Sequence, residues 1–216
     1  MPKREGVSLS VIKRLPRYYR FLGDLLRKDV TRISSRELAQ LMQLTASQIR
    51  QDLNCFGGFG QQGYGYNVAA LHKEIANIMG LHRHTPTILL GAGNLGRTIA
   101  RHMNFESSGF ELIGIFDSDP NVIGQTVRDM VVADSASLEK FCQAHHPRAA
   151  ILCIPKDVAY ECAKNLMSLG VNCFWNFSHY DLAVDFEGAI VENVHLGDSL
   201  MTFCYQINAA YPEEEA

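Results

Sequence analysis

Long apolar runs are missing from this chain of 216 residues. No stretch reaches the roughly 18 consecutive apolar residues that a bilayer-spanning helix needs, and the basic N-terminus lacks the apolar centre of a secretory signal. A membrane partner is not expected, and the cytoplasm is the expected compartment. Cysteine is present but unorganised. Cys55, Cys142, Cys153, Cys162, Cys173 and Cys204 form no CxxC and no Cys/His set at zinc spacing, so neither a disulfide framework nor a metal site is expected. Most of them read as buried thiols. An overall excess of one charge is lacking too, with a net of −3.

That near balance conceals an asymmetry. Residues 1–85 hold 13 Lys and Arg against 6 Asp and Glu, a net of +7, and residues 86–216 hold 7 against 17, a net of −10. A basic front half points to a polyanionic partner. Its length suits one large or two small domains.

Residues 88–117 form the most informative stretch. Ile88, Leu89 and Leu90 read as a buried strand, followed by a glycine turn (Gly91, Ala92, Gly93, Asn94, Leu95, Gly96), an amphipathic helix and a second strand ending at Asp117. In a dinucleotide site the first glycine permits the tight turn and the second lets the backbone approach a pyrophosphate. The third allows helix to pack closely on strand. The helix N-terminus offers N–H groups and positive potential to phosphate. Asp117 follows Gly96 by 21 residues, where an acid that holds the ribose hydroxyls is expected. A glycine-rich turn without a ligand is the alternative.

Ahead of it, residues 8–28 predict a helix with Val11, Leu15, Tyr18, Tyr19, Leu22, Leu25 and Leu26 on one face. Pro16 is expected to kink it or mark its start. Ser34 with Glu37, and Thr45 with Gln48, match capping boxes of two short helices joined through Gln43 and Leu44. The second buries Ile49 and Leu53 and turns Ser47, Gln48, Arg50, Gln51 and Asn54 outward. This is the helix-turn-helix pattern, although a plain three-helix module with a polar face would look similar. Residues 57–67 alternate glycine with Phe59, Tyr64 and Tyr66, predicting a hairpin wing with its tip at Gln61-Gln62-Gly63. A helix over 68–80 closes this part. The expected division is a winged-helix DNA-binding domain over 1–80, a linker over 81–86, and a nucleotide-binding domain over 87–194. A C-terminal helix with an acidic tail takes up 195–216.

The rest alternates helix and strand: a helix over 137–146, a strand over 149–155, a helix over 157–170, a strand over 171–177 and a last strand at GAIVENV. Such alternation predicts a doubly wound parallel α/β sheet, a Rossmann domain. Pro155 and Asn176-Phe177-Ser178 end their strands at the ligand-binding edge. Leu196, Leu200, Phe203, Cys204 and Ile207 make a helical stripe with no sheet left to cover, which suits a second subunit.

In this order KRLPRYYR (13–20), RISSRELA (32–39), IRQDL (49–53), FGGFG…GYGY (56–66), GAGNLGR (91–97), FDSDP (116–120), NF (176–177) and VEN (191–193) resemble the Rex family of redox-sensing transcriptional repressors, over nearly the whole chain. The resemblance implies a homodimer that binds pseudo-palindromic operator DNA and senses the NADH/NAD⁺ ratio, NADH favouring release. It implies a C-terminal helix swapped between subunits, and no catalysis. By position it implies NAD(H) binding by Gly91 to Gly96 and Asp117, with Pro155, Asn176, Phe177 and Ser178 on the nicotinamide side. It turns Arg50 and the wing around Gln62 to Tyr64 toward DNA, and with the outward helix face the expected DNA-binding residues are Arg14, Ser47, Gln48, Arg50, Gln51, Gln61, Gln62, Gly63 and Tyr64.

Departures accompany the match. Family members usually carry Lys where this chain has Gln51, and basic residues where it has Gln61 and Gln62. A family Asp that pairs alternately with a Tyr and an N-terminal Arg is replaced by His195, and the Tyr by His102, while Arg20 matches the Arg. The resemblance therefore implies a divergent member with altered coupling. Two rivals stand beside it: a nicotinamide-dependent oxidoreductase, for which only His179, His195 and Cys173 look catalytic, and a site for another ligand such as a CoA thioester.

Overall fold

The computed structural model describes residues 7–57, 59–61 and 64–211, with the backbone alone at 60 and 61. It divides into two compact units, the first ending at Arg83 and the second beginning at His84. Thr85 and Pro86, expected in the linker, instead pair in a strand with Phe110 and Glu111.

The first unit runs α1 (Leu9–Leu26), β1 (Arg32–Ile33), α2 (Ser35–Met42), α3 (Ala46–Asn54), β2 (Gly60–Gln61), β3 (Gly65–Asn67) and α4 (Val68–Met79). Pro16 lies within α1, which continues through it. The residue sits on the exposed side, so the helical hydrogen bond it cannot make is lost toward solvent rather than in the core. Side chains cap all four helices: Ser8, Ser34, Thr45 and Asn67 accept from Val11, Glu37, Gln48 and Ala70 N–H. At Ser34 the box is reciprocal, since Glu37 accepts the Ser34 N–H at 2.8 Å. At Thr45 only half of the expected box forms, because the Gln48 amide turns to Asp52 instead. Leu15, Tyr18, Leu22, Leu38, Met42, Ile49, Leu53, Leu71 and Ile75 form the core. The antiparallel sheet has the order β1-β3-β2, with Gln61 opposite Gly65. β2 and β3 are the two strands of the expected wing; Gln62 and Gly63 of its expected tip lie outside the described residues.

The second unit contains β4 (Thr85–Leu90), α5 (Asn94–His102), β5 (Phe110–Asp117), β6 (Thr126–Val127), β7 (Met130–Val131), β8 (Ala133–Asp134), α6 (Leu138–His145), β9 (Ala149–Leu152), α7 (Lys156–Ser168), β10 (Cys173–Asn176), α8 (Leu182–Asp185), β11 (Ile190–Asn193) and α9 (Leu196–Ala210). Six strands form one sheet in the order β11-β10-β9-β4-β5-β8, and every pairing in it is parallel. This is the doubly wound arrangement expected. The chain leaves β4 in one direction through β5 and β8, then returns to lay β9 on its other side. Ile88 and Leu90 pack with residues of α6 and α7 on one face, while Leu89 packs with Ile99 and Ala100 of α5 on the other. Burial on both faces explains why β4 and β9 read as unbroken apolar runs.

Candidate dinucleotide site and helix-turn-helix face

The glycine turn lies where the strand order reverses, between the ends of β4 and β9, the position at which open parallel sheets bind ligands. Gly91 has φ +92°, and a Cβ there would lie 2.3 Å from the Cys153 carbonyl oxygen. Gly96 carries α5 against the turn so closely that a Cβ would lie 1.8 Å from the Gly91 oxygen. Around Gly93 a Cβ would meet nothing within 4 Å. Two glycines are thus demanded by packing, and the third opens onto free space where a phosphate fits. No side chain caps α5, which leaves its first-turn N–H groups for an anion. Asn94 and Leu95 begin that helix and are exposed; Ala92 is buried.

Asp117 closes the site from β5. Its Oδ2 accepts the Ala92 N–H at 2.6 Å and its Oδ1 accepts the Asp119 N–H at 2.9 Å. These bonds aim the carboxylate across the turn, and each oxygen keeps a lone pair for a ribose hydroxyl. Gly91 to Gly96 and Asp117, far apart in sequence, are thereby brought together, and the residues suit a dinucleotide with a free ribose diol.

On the β9 and β10 side the predicted residues end their strands. Pro155 caps α7 beside the switch point. Asn176 and Ser178, expected to line the nicotinamide side, are buried and bond inward. Asn176 Nδ2 donates to the Tyr180 carbonyl at 2.6 Å and to Asn193 Oδ1 at 2.9 Å. Asn176 Oδ1 accepts the Ser178 N–H at 3.1 Å and hydroxyl at 2.6 Å. The amide has no capacity left, so these two residues shape the strand end rather than offer a ligand free polar atoms. Phe177 is half-buried and packs edge-on against Trp175. Burial pushes the Cys153 thiol up to about 12, and the Cys173 thiol also upward, so neither is a ready thiolate.

His195 precedes α9 and its ring stacks on that of His179, centroids 5.7 Å apart. His102 ends α5 and is exposed. Arg20 is exposed on α1, its guanidinium over Phe21. A cavity of about 390 Å³ lies elsewhere, over the opposite sheet face from α7, lined by Thr87, Phe105, Ile151, Trp175, Ile190 and others. It includes none of the glycine-turn residues.

In the first unit Ser47, Arg50, Gln51 and Asn54 are exposed on α3 as expected, and Arg50 donates to the Ser35 hydroxyl of α2 at 3.2 Å. Arg14 and Gln48, also expected to face DNA, turn part of their hydrogen-bonding capacity inward. Arg14 makes a two-pronged pair with Asp52, both contacts 2.7 Å, and Gln48 donates to the same carboxylate at 2.9 Å. Tyr18 adds a fourth bond at 2.8 Å. Burial alone would raise the Asp52 carboxyl, but the bonds from Arg14, Gln48 and Tyr18 outweigh it and hold it below the ordinary value. Burial and the same bond push the Tyr18 phenol upward. Asp52 was missed by pattern reasoning, although an acid three residues beyond Ile49 falls on the buried stripe and so signals a partner. Arg32 was missed too: it donates to the Tyr64 carbonyl at 3.1 Å and lies over that exposed ring, adding a cation to the wing.

Among the described residues no helix is long and apolar enough to cross a membrane, and no group of three or more His, Cys, Asp or Glu forms a metal site.

Comparison with known proteins matches both units. Residues 6–54 match the family model described as "Putative DNA-binding protein N-terminus", and residues 82–180 match the "CoA binding domain" model. The redox-sensing transcriptional repressor Rex of Caldanaerobacter subterraneus subsp. tengcongensis is 53% identical over 208 residues, 96% of this chain and 92% of the relative. That of Clostridioides difficile is 51% identical over 201 residues, 93% and 95% of the two chains. The crystal structure of RSP in complex with β-NAD⁺ and operator DNA superposes with a TM-score of 0.88 at 52% identity, covering 94% of each chain. RSP in complex with β-NADH gives 0.86 at 49% identity, covering 95% of this chain and 96% of that one. With a dinucleotide-shaped turn and a helix-turn-helix on one polypeptide, and with these relatives along its length, the chain belongs to the Rex family of redox-sensing transcriptional repressors.

Proposed function

We propose that this protein is an operator-binding repressor that reads the NADH/NAD⁺ ratio, NADH favouring its release from DNA. The observation that carries the reading is the glycine turn itself. Gly93 opens onto space beside an uncapped helix, and Asp117 is bonded across the turn by the Ala92 N–H. Solved relatives at 49–52% identity hold NADH, or NAD⁺ together with operator DNA. The residues toward the cofactor are Gly91, Gly93 to Gly96 and Asp117, with Pro155 and Phe177 at the far end. When bound, the nicotinamide supplies a redox-sensitive ring. The protein supplies pyrophosphate and ribose contacts. Ser47, Arg50 and Gln51 face DNA from α3, with Tyr64 and Arg32 on the wing. A cytoplasmic location follows from the DNA target.

The reading includes a homodimer. None of α9 is buried, and Leu200, Phe203 and Ile207 stand exposed along it. Such a stripe on a folded chain needs a partner surface, and a swapped C-terminal helix supplies one. It also includes altered coupling: His195 has an imidazole partner in His179 and cannot form a carboxylate pair with Arg20.

Titrating NADH, NAD⁺ and an acyl-CoA into a complex of the protein with a labelled operator duplex tests the reading. NADH is expected to release the duplex and acyl-CoA to have no effect. Release by acyl-CoA alone, or no NADH binding by calorimetry, overturns it. The protein is proposed not to be an enzyme, and sustained NADH oxidation with any of a panel of small carbonyl compounds would contradict that.

A further inference from the structure

Side-chain contacts from β10, β11 and the residue before α9 converge on the short loop between β10 and α8. Asn176 holds the loop through Ser178 and the Tyr180 carbonyl, and reaches across to Asn193 at the end of β11. Asn193 in turn donates its own amide to Asp181 Oδ1 at 2.8 Å. The backbone follows suit, Val194 N–H donating to the Asn176 carbonyl at 2.8 Å. Beyond it His195 lays its ring on His179. The loop over 177–181 and the root of α9 are therefore one hydrogen-bonded piece. Asn176 and Asn193 are direct partners in the parallel register, and the buried Asn176 amide is saturated, so neither side of the clamp moves without breaking an enclosed bond.

We propose that Asn193 and His179 are positioning residues that fasten the loop following β10 to the root of α9, so that a dinucleotide seated against that strand end acts on the C-terminal helix through them. This deepens the proposed function and rests on its NAD(H) site. Neither residue touches the glycine turn, and neither belongs to the set that holds the cofactor. Asn193 links strand end to loop. His179 sits at φ +59°, and its exposed ring meets that of His195, the residue before α9. The arrangement gives His195 a use in this chain: it passes loop movement to α9 by ring contact rather than by an ion pair.

Full-length protein with Asn193→Ala, His179→Asn or Asp181→Asn tests this. Asn tolerates the positive φ of residue 179, and Asp181→Asn keeps the oxygen that accepts from Asn193. The first two variants are expected to bind NADH by calorimetry, and an operator duplex selected by the wild type, within about threefold of wild type. The NADH concentration that half-releases the duplex is expected to rise about tenfold or more, within the usual range of coupling between sites. Asp181→Asn is expected to release like wild type. Unchanged release midpoints in both Asn193→Ala and His179→Asn overturn the proposal. So does a midpoint that merely follows a loss of NADH affinity, which would make these residues ligand contacts. If Asn193→Ala does not fold, His179→Asn decides alone. Failure of the wild type to bind NADH is seen before any substitution and would instead sink the proposed function.

Discussion

Arg14 grips Asp52 with two 2.7 Å contacts, joining α1 to the recognition-type helix α3 across 38 residues of sequence. The carboxylate is 1% exposed and accepts two further bonds, so a charge that would be costly to bury is paired and fully hydrogen-bonded. The outward direction of Arg50 and Gln51 depends on it, because Gln48 and Asp52 form the inner edge of the same helix.

Asp52→Ala leaves the Arg14 charge and the Tyr18 hydroxyl without their partner. The expected loss is about 3 kcal/mol, the scale for breaking one side of a buried pair. Urea denaturation followed by circular dichroism measures it, and an unchanged midpoint would mean that the pair contributes nothing net.

Two side chains drawn into the first unit tie its stability to pH. His72, stacked on Tyr19, is held by burial below its ordinary 6.5. The unfolded chain therefore takes up that proton first, and this contribution is present above about pH 6.5 and lost as the pH falls toward the folded value. The Asp52 carboxyl is also depressed in the folded state, from 3.8. Its contribution is present above that value and is lost as pH falls through the folded one. Stability curves from pH 8 to 3 are expected to lose the upper step in His72→Phe and the lower step in Asp52→Asn.

Two of the three glycines of the turn separate packing from binding. Gly96→Ala would place a Cβ 1.8 Å from the Gly91 oxygen, so both thermal stability and NADH affinity are expected to fall. Gly93→Ala meets no protein atom and is expected to keep its melting temperature while NADH affinity drops about tenfold, equivalent to about 1.4 kcal/mol. Scanning fluorimetry beside calorimetry distinguishes them. Full NADH affinity in Gly93→Ala would remove Gly93 from the site.

Leu200 and Phe203 are 68% and 57% exposed on α9. Leu200→Glu combined with Phe203→Glu is expected to halve the mass measured by sedimentation, to about the 24.1 kDa of one chain, and to abolish operator binding. A double variant that stays dimeric would place the interface elsewhere.

Much of this molecule was legible in the residues. The Ser34 and Thr45 caps, the buried run of β4, the glycine spacing and the acid at Asp117 are local signals, and each local period or cap prefers one backbone conformation. The strands β6, β7 and β8 were not legible, being two residues each and too short to show a period. The inward bonds of Arg14, Gln48, Asn176 and Ser178 were not legible either, because their partners lie on other elements or across a turn.

The sequence by itself determined the longer helices and strands, the helix-turn-helix and the dinucleotide-shaped turn, because these follow from local periods and caps, and their alternation implied the doubly wound sheet whose distant strands pair in parallel. Only the tertiary structure decided which polar groups remain for a ligand. Arg14 and Gln48 commit donors to Asp52, and the Asn176 amide is filled by Asn193, Tyr180 and Ser178. A hydrogen-bonding group spent on a partner brought close by helix packing or strand register is no longer available to DNA or cofactor, and that partner is set by the fold as a whole.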